Sequence, residues 1–360
     1  MVMIYSASSY SAGLKGDELF YVKKQLIGFV AGLVCLFGCA IIKIETVYKL
    51  RYVMLGISYV LLILCLIPGI GIESYGARRW LNLGFITLQP SEIAKFGLCV
   101  YCASYMSKRK MSGIVSMIPP LVAGGIMCVL IMLEPNMSIT ICVACVLMIM
   151  LFVGGGNKRT FVLFGIVGVA LAVLLILSAP YRMERILAYL DPWSSAKDEG
   201  YQLIQSYYAL GSGGLFGVGL FNSRQKYLFL PFAESDFIFS IIGEELGFIG
   251  AIIILFLYFI LIYLGIRIAV KAKSAFETLL AIGIVSVIAI QTLLNIAVVS
   301  GSIPPTGLPL PFMSAGGSSL MVFMAASGLL INISNRSQEK KESASVKFLS
   351  NRKSISLKMS

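Results

Sequence analysis

The strongest constraint in this sequence is its succession of apolar runs, each about as long as a bilayer is thick. A helix needs roughly 20 mainly apolar residues to cross the hydrocarbon core. On that measure, spanning helices are expected near 21–42, 50–71, 88–107, 113–133, 138–155, 160–179, 237–270, 276–300 and 316–334. With 58% hydrophobic residues and a mean hydropathy of +0.90, the chain holds more apolar surface than one water-soluble core buries, so lipid must solvate much of it. The expected fold is an all-α polytopic membrane protein. Ahead of the first run, "MVMIYSASSY" is too short to span and lacks the charged start of a signal peptide. It reads as the last part of a helix, so the first of about ten transmembrane helices is expected to be incomplete.

The charge pattern orients the helices. A net charge of +12 would suit nucleic acid, but the cations lie in short clusters between apolar runs, so no nucleic-acid partner is expected. Segments 43–51, 107–110, 157–159 and 267–274 and the tail from Arg336 are net basic and alternate along the chain, which places them in the cytoplasm. Segments 10–20, 72–87, 134–137, 180–236 and 301–315 then lie outside. The 180–236 loop is the longest and is rich in tyrosine, so it is expected to be ordered and functional. Residues 1–336 read as one transmembrane domain, and 337–360 as a basic, serine-rich flexible tail able to touch anionic lipid. All eight cysteines lie inside apolar runs without paired or ligand spacing and read as small packing residues.

There is no histidine, which removes serine-histidine nucleophiles and imidazole metal sites. Chemistry falls to carboxylates, Lys, Arg or Tyr, and a metal would be a hard cation such as Mg²⁺ or Mn²⁺ on oxygen ligands. Four acids gather in "FAESDFIFSIIGEELG": Glu234, Asp236, Glu244 and Glu245. Wound as a helix from Asp236, Ser240, Gly243 and Gly247 fall within about 40° of it, Glu244 about 80° to one side, and Glu245 opposite. The four acids do not share a face. Asp236 heads a small-residue seam, either as a functional acid or as a helix cap.

Three further segments carry candidates. In "YGARRWLNLGFITLQPSEIAK", Arg78 and Arg79 are outer cations next to Trp80, and arginine forks match phosphate oxygens. "QPSE" starts a helix at Pro90, with Glu92 and Lys95 on nearly one face, read as either an intramembrane functional pair or a buried packing pair. "GSGGLFGVGLFNSRQKYLFLP" adds Arg224 and Lys226, and its glycine spacing is not that of a nucleotide loop. In "GSIPPTGLPLPFMSAGGSSL", four prolines stop any helix, and the loop is expected to line a cavity.

Together, "MVMIYSASSYSA", "GARRWLNLGFITLQPSEIAK", "GSGGLFGVGL", "SRQKYLFLP", "DFIFSIIGEELGFIGA" and "GLPLPFMSAGGSSL" resemble the SEDS family of bacterial envelope proteins, which contains FtsW, RodA and SpoVE. The likeness runs from residue 1 to about 334 and leans to the FtsW and SpoVE side. It implies a multi-pass protein of the bacterial cytoplasmic membrane, with a cytoplasmic tail and an extracellular catalytic loop. The implied activity is that of a peptidoglycan glycosyltransferase polymerising lipid II beside a class B penicillin-binding protein. The family's essential aspartate falls on Asp236, implied as general base. Arg78, Arg79, Trp80, Glu92, Lys95, Arg224, Lys226, Glu234 and Glu244 are then the candidate substrate and diphosphate contacts. A divalent cation at the diphosphate would complete the set.

This chain departs from the family at several positions. Where relatives have Pro-Glu-x-His-Thr-Asp, it has Pro231, Phe232, Ala233, Glu234, Ser235 and Asp236. Where they have Gln-Pro-Asp-Leu-Gly, it has Glu134, Pro135, Asn136, Met137 and Ser138. "SAGG" stands in place of "SYGG". Two other functions fit the broken helices and intramembrane charge: a flippase or transporter for a lipid-linked precursor, and a noncatalytic division or sporulation scaffold.

Overall fold

A computed structural model describes residues 1–358 apart from Lys15, Tyr75, Gly76, Leu83, Phe85, Ile86, Lys110, Ser112 and Ala179. Its helices are α1 (Val2–Gly13), α2 (Phe20–Ile41), α3 (Ile44–Lys49), α4 (Arg51–Leu66), α5 (Pro90–Met106), α6 (Ile114–Leu133) and α7 (Met137–Val153). They continue as α8 (Lys158–Leu177), α9 (Pro180–Leu190), α10 (Tyr201–Gly213), α11 (Ile238–Lys271), α12 (Ala275–Val299) and α13 (Gly317–Lys358). The apolar runs of the sequence appear as α2, α4 to α8 and α11 to α13, each starting within a few residues of its expected position, and α13 alone running far past its expected end. Among the described residues five are long and apolar enough to cross a membrane, and α4, α7 and residues Phe161–Leu171 of α8 form shorter apolar helices.

Exposure follows the membrane reading. Val34, Phe37, Ile41, Val115, Val129, Leu174 and Phe259 are more than half exposed on apolar helix faces, where lipid is the favourable solvent. α5 is the reverse: fifteen of its residues are buried, and it packs between α4 and α12 at the centre. Small residues permit this closeness: a Cβ on Gly97 would lie 2.3 Å from Ser58 Oγ, and one on Gly283 3.0 Å from Cys99. Cys99, Cys102 and Cys142 fill this core as free thiols. α2 and α13 run side by side in the same direction, with Gly28 on Gly317, Gly32 on Met324 and Gly328 on Leu36.

Contacts sort the connections to two ends of the bundle. Arg336 pairs with Glu45 at 2.8 Å and faces Glu277 at 3.2 Å, Lys108 lies over the Tyr48 ring, and Tyr48 meets Phe276. The basic segments 43–51, 107–109 and 271–277 therefore share one end with Arg336. At that end Ser274 caps α12 through Glu277 N, and the Glu277 carboxylate accepts Lys273 N. The other end carries α9, α10, the turn at 134–136, the proline-rich loop and a three-stranded sheet of β1 (Gly71–Ser74), β2 (Ala77–Asn82) and β3 (Thr87–Leu88). This small sheet was not expected from sequence. The ordering expected for 180–236 is met by α9 and α10. α13 keeps helical backbone through the segment expected to be a flexible tail; the side chains beyond Gln338, with any lipid contact they make, lie outside the described residues.

Candidate functional site

α11 starts at Ile238, two residues after Asp236, and is broken at Gly247, whose φ of 68° and ψ of −171° are open to glycine only. The break leaves backbone groups free, and the glycine-rich segment after α10 takes them. Val218 N and Gly219 N donate to Glu244 O and Glu245 O (2.9 and 3.1 Å), while Phe248 N and Ile249 N donate to Gly214 O and Leu215 O (2.9 and 3.2 Å). The two acids before the break fasten the same loop. The Glu244 carboxylate accepts from Ser223 Oγ, Arg224 N (2.9 Å) and Gln225 N (3.4 Å). Glu245 accepts from Ser6 Oγ of α1, Ser223 N and Lys226 Nζ (3.4 Å). Both acids are buried and hydrogen-bonded, the condition under which a buried charge is tolerated. Glu244 and Lys226, expected at substrate, sit instead inside the fold as loop anchors.

That loop ends in a tight turn at Phe232, which delivers Asp236. The carbonyls of three successive residues are tied to the proline-rich loop and its helix. Ala315 N donates to Glu234 O (2.8 Å), Ser314 Oγ to Ser235 O (2.5 Å) and Asn295 Nδ2 to Asp236 O (2.8 Å). The same Asn295 amide donates to Leu308 O (2.6 Å). α11 has no side-chain cap, so the cap reading of Asp236 fails. The half-buried carboxylate lies instead over the bare backbone of Gly307, where a Cβ would come within 3.3 Å of Oδ2. Burial pushes the Asp236 carboxyl up to about 6, the Ser235 hydroxyl and the Arg79 charge pull it down, and Glu234 raises it.

Arg78 and Arg79 separate because they lie on a strand, where neighbours point to opposite faces. Arg78, across from Glu73 in the β1–β2 ladder, pairs with it at 2.9 Å on the exposed face. Arg79 points inward: Nε donates to Glu134 O (3.2 Å) and Nη2 to Pro135 O. Its charge is felt by both Asp236 and Glu134. Glu134 itself is fully buried, and burial pushes its carboxyl up to about 8. Asn136 caps α7, and Ser138 Oγ donates to Thr306 O, joining this turn to the proline-rich loop. Around Asp236 the buried atoms Glu134 Oε1 and Oε2, Thr306 Oγ1 and Asn295 Oδ1 have no hydrogen-bond partner. The site is thus Asp236, Arg79, the 134–138 turn and the 306–308 backbone.

The remaining candidates lie elsewhere. Trp80 is half-buried opposite Ile72, Glu234 is half-buried beside Asp236, and Arg224 has an exposed side chain. Glu92 and Lys95 form a fully buried pair at 2.8 Å; Lys95 Nζ also donates to Gln291 Oε1, and Ser319 Oγ to Glu92 (3.1 Å). Gln291 Nε2 passes the network to Pro309 O (2.9 Å), so this pair fastens α5, α12 and α13 together beneath the loop. Sequence reasoning missed Glu134, Asn295 and Gly307 as site residues. The available signals were a lone acid between two apolar helices and an amide within an apolar run.

These features define a polytopic helical membrane protein with an acid and arginine site at one end of its bundle. Residues 1–339 match the FtsW, RodA and SpoVE family, described as cell cycle protein. The chain is 41% identical over 343 residues to stage V sporulation protein E of Bacillus subtilis (strain 168), covering 94% of this chain and 93% of the relative. It is 42% identical to the probable peptidoglycan glycosyltransferase FtsW of Trichlorobacter lovleyi, covering 93% of this chain and 89% of that one. Among solved structures it resembles a chain from work on structural coordination of polymerization and crosslinking by a peptidoglycan synthase complex, at TM-score 0.75 and 30% identity, covering 88% and 90% of the two chains. It also resembles the rod shape determining protein RodA of Thermus thermophilus, at TM-score 0.67 and 26% identity, covering 93% and 94%. The chain belongs to the FtsW/RodA/SpoVE family.

Proposed function

We propose that this chain is a peptidoglycan glycosyltransferase that joins lipid-linked disaccharides into glycan strands, with Asp236 as general base. The names of its relatives support the activity, and the observation that carries the residue assignment is the clamp on Asp236. Its backbone is tied at Glu234, Ser235 and Asp236, its carboxylate lies over Gly307, and the Arg79 charge lies close by. A carboxyl raised to about 6 is mostly ionised at pH 7 yet more basic than an ordinary aspartate, the balance a general base needs.

In the reaction, the 4-hydroxyl oxygen of the incoming disaccharide attacks the anomeric carbon of the growing strand with inversion. Its proton passes to Asp236. The bond from the anomeric carbon to the lipid diphosphate breaks, and Arg79 offsets the charge that develops on the departing oxygen. Among the described residues no group of three or more acids, cysteines or histidines forms a metal cage. A Mg²⁺ or Mn²⁺ would rest mainly on the oxygens of the diphosphate, with at most one or two of the carboxylates at the site.

The gathering of the basic segments at the opposite end supports a site on the outer face of the cytoplasmic membrane, with the tail inside. The likeness to a chain of a peptidoglycan synthase complex supports a class B penicillin-binding protein as partner. The test is glycan synthesis from labelled lipid II by the purified protein with that partner in detergent, where no second leaflet exists. Polymer made by the wild type and lost in Asp236→Asn is expected. Undiminished polymer in Asp236→Asn removes the base, and lipid scrambling in vesicles without polymer favours a flippase.

A further inference from the structure

Glu134 stands just beyond the last turn of α6, at the negative end of that helix's dipole. Its side chain is fully buried, and neither carboxyl oxygen has a hydrogen-bond partner. Arg79 reaches this residue, yet it directs Nε and Nη2 to the Glu134 and Pro135 carbonyls and leaves the carboxyl without a hydrogen bond. A negative charge so placed would be desolvated, unbonded and set against a helix C-terminus, whereas a protonated carboxyl pays far less for its burial and escapes the repulsion of the helix end.

We propose that Glu134 is a positioning residue held as the neutral acid, so that the Arg79 charge remains directed at the Asp236 side of the site. Its ionisation draws the guanidinium off the two carbonyls into a Glu134–Arg79 ion pair. The titratable and charged groups facing Glu134 among the described residues are Arg79 from β2 and the Cys65 thiol from α4. The polar groups at the adjoining start of α7, Asn136 and Ser138, carry no charge, and Arg78 is turned to Glu73 on the other face of the strand. Asp236 also feels the Arg79 charge. Burial pushes Glu134 up to about 8, so the neutral form prevails at pH 7 and the ion pair forms only in mild alkali.

The effect on rate rests on the glycosyltransferase reading; the protonation state does not, and the two are tested separately. Thermal midpoints of wild type and Glu134→Gln are compared in detergent from pH 5 to 10. Because the folded chain holds a proton that the unfolded chain releases near the ordinary glutamate value, wild type loses stability relative to Glu134→Gln as pH rises, and the gap stops widening near pH 8. A gap that does not change with pH overturns the proposal. Glu134→Met gives the same pH-independent baseline and replaces Glu134→Gln if that variant is not recovered folded.

The second measurement is the polymerisation rate on labelled lipid II. Wild type is expected to lose rate, about tenfold per pH unit, once pH passes 8, and Glu134→Gln, whatever its rate at pH 7, is expected to lack that alkaline limb. An identical alkaline limb in both proteins overturns the positioning role. A wild type that makes no glycan at any pH sinks the glycosyltransferase reading instead, while the midpoints still decide the state of Glu134.

Discussion

Replacing Gly247 by alanine attacks the break in α11 directly. A Cβ built there would lie 2.2 Å from Gly217 N and 2.6 Å from Leu215 O, closer than real Cβ atoms come, so one backbone must move. The backbone at φ 68° and ψ −171° costs any residue but glycine about 1–3 kcal/mol. Separating the two segments also threatens the four backbone hydrogen bonds across the break, each worth about 1 kcal/mol. The expected loss is about 3–6 kcal/mol, which lowers the thermal midpoint of a 360-residue chain by about 4–8 °C. The assay is thermal unfolding in detergent followed by size-exclusion chromatography. Gly125→Ala in α6 is the control: nothing lies within 4 Å of its Cβ, and alanine favours a helix, so its midpoint should equal or slightly exceed wild type. A Gly247→Ala protein that melts with the Gly125→Ala control refutes the reasoning.

Three further outcomes are expected. With the Asp236 carboxyl near 6, ionisation of the base is lost as pH falls, so polymerisation should drop to about half at pH 6 and about a tenth at pH 5; a rate that holds to pH 5 contradicts this. Glu92→Gln strands Lys95 in the core and should cost about 3–5 kcal/mol in detergent unfolding, most of it recovered in the double variant with Lys95→Met. Arg78→Ala removes an exposed pair worth about 0–1 kcal/mol and should keep polymerisation within about twofold, whereas Arg79→Ala should lose at least about tenfold in the same lipid II assay.

The bundle was legible because lipid imposes long apolar runs, and helices such as α6 and α12 fall where hydropathy places them. The site was legible in part. Asp236 stood out through its resemblance, but helix geometry applied from Asp236 onward assumed a helix that starts only at Ile238. The period-2 alternation that separates Arg78 from Arg79 needs a strand assignment, and a short sheet between apolar helices leaves little pattern to assign. Glu92 and Lys95 show the same limit. Spacing brings the two together, but only the packing of Gln291 and Ser319 around them decides that they are a closed structural pair. For Glu134 the sequence displays an acid at a turn, the kind of place usually wet, and its burial arises from β2 and the proline-rich loop folding over it.

One amide, that of Asn295, holds the carbonyls of both Asp236 and Leu308. That amide joins the base and the proline-rich loop to α12, beside the ties that Ser314 and Ala315 make to the two preceding carbonyls. In mechanical terms Asn295 is a rivet through two plates, the loop and the segment that bears the base, set in the wall of the bundle.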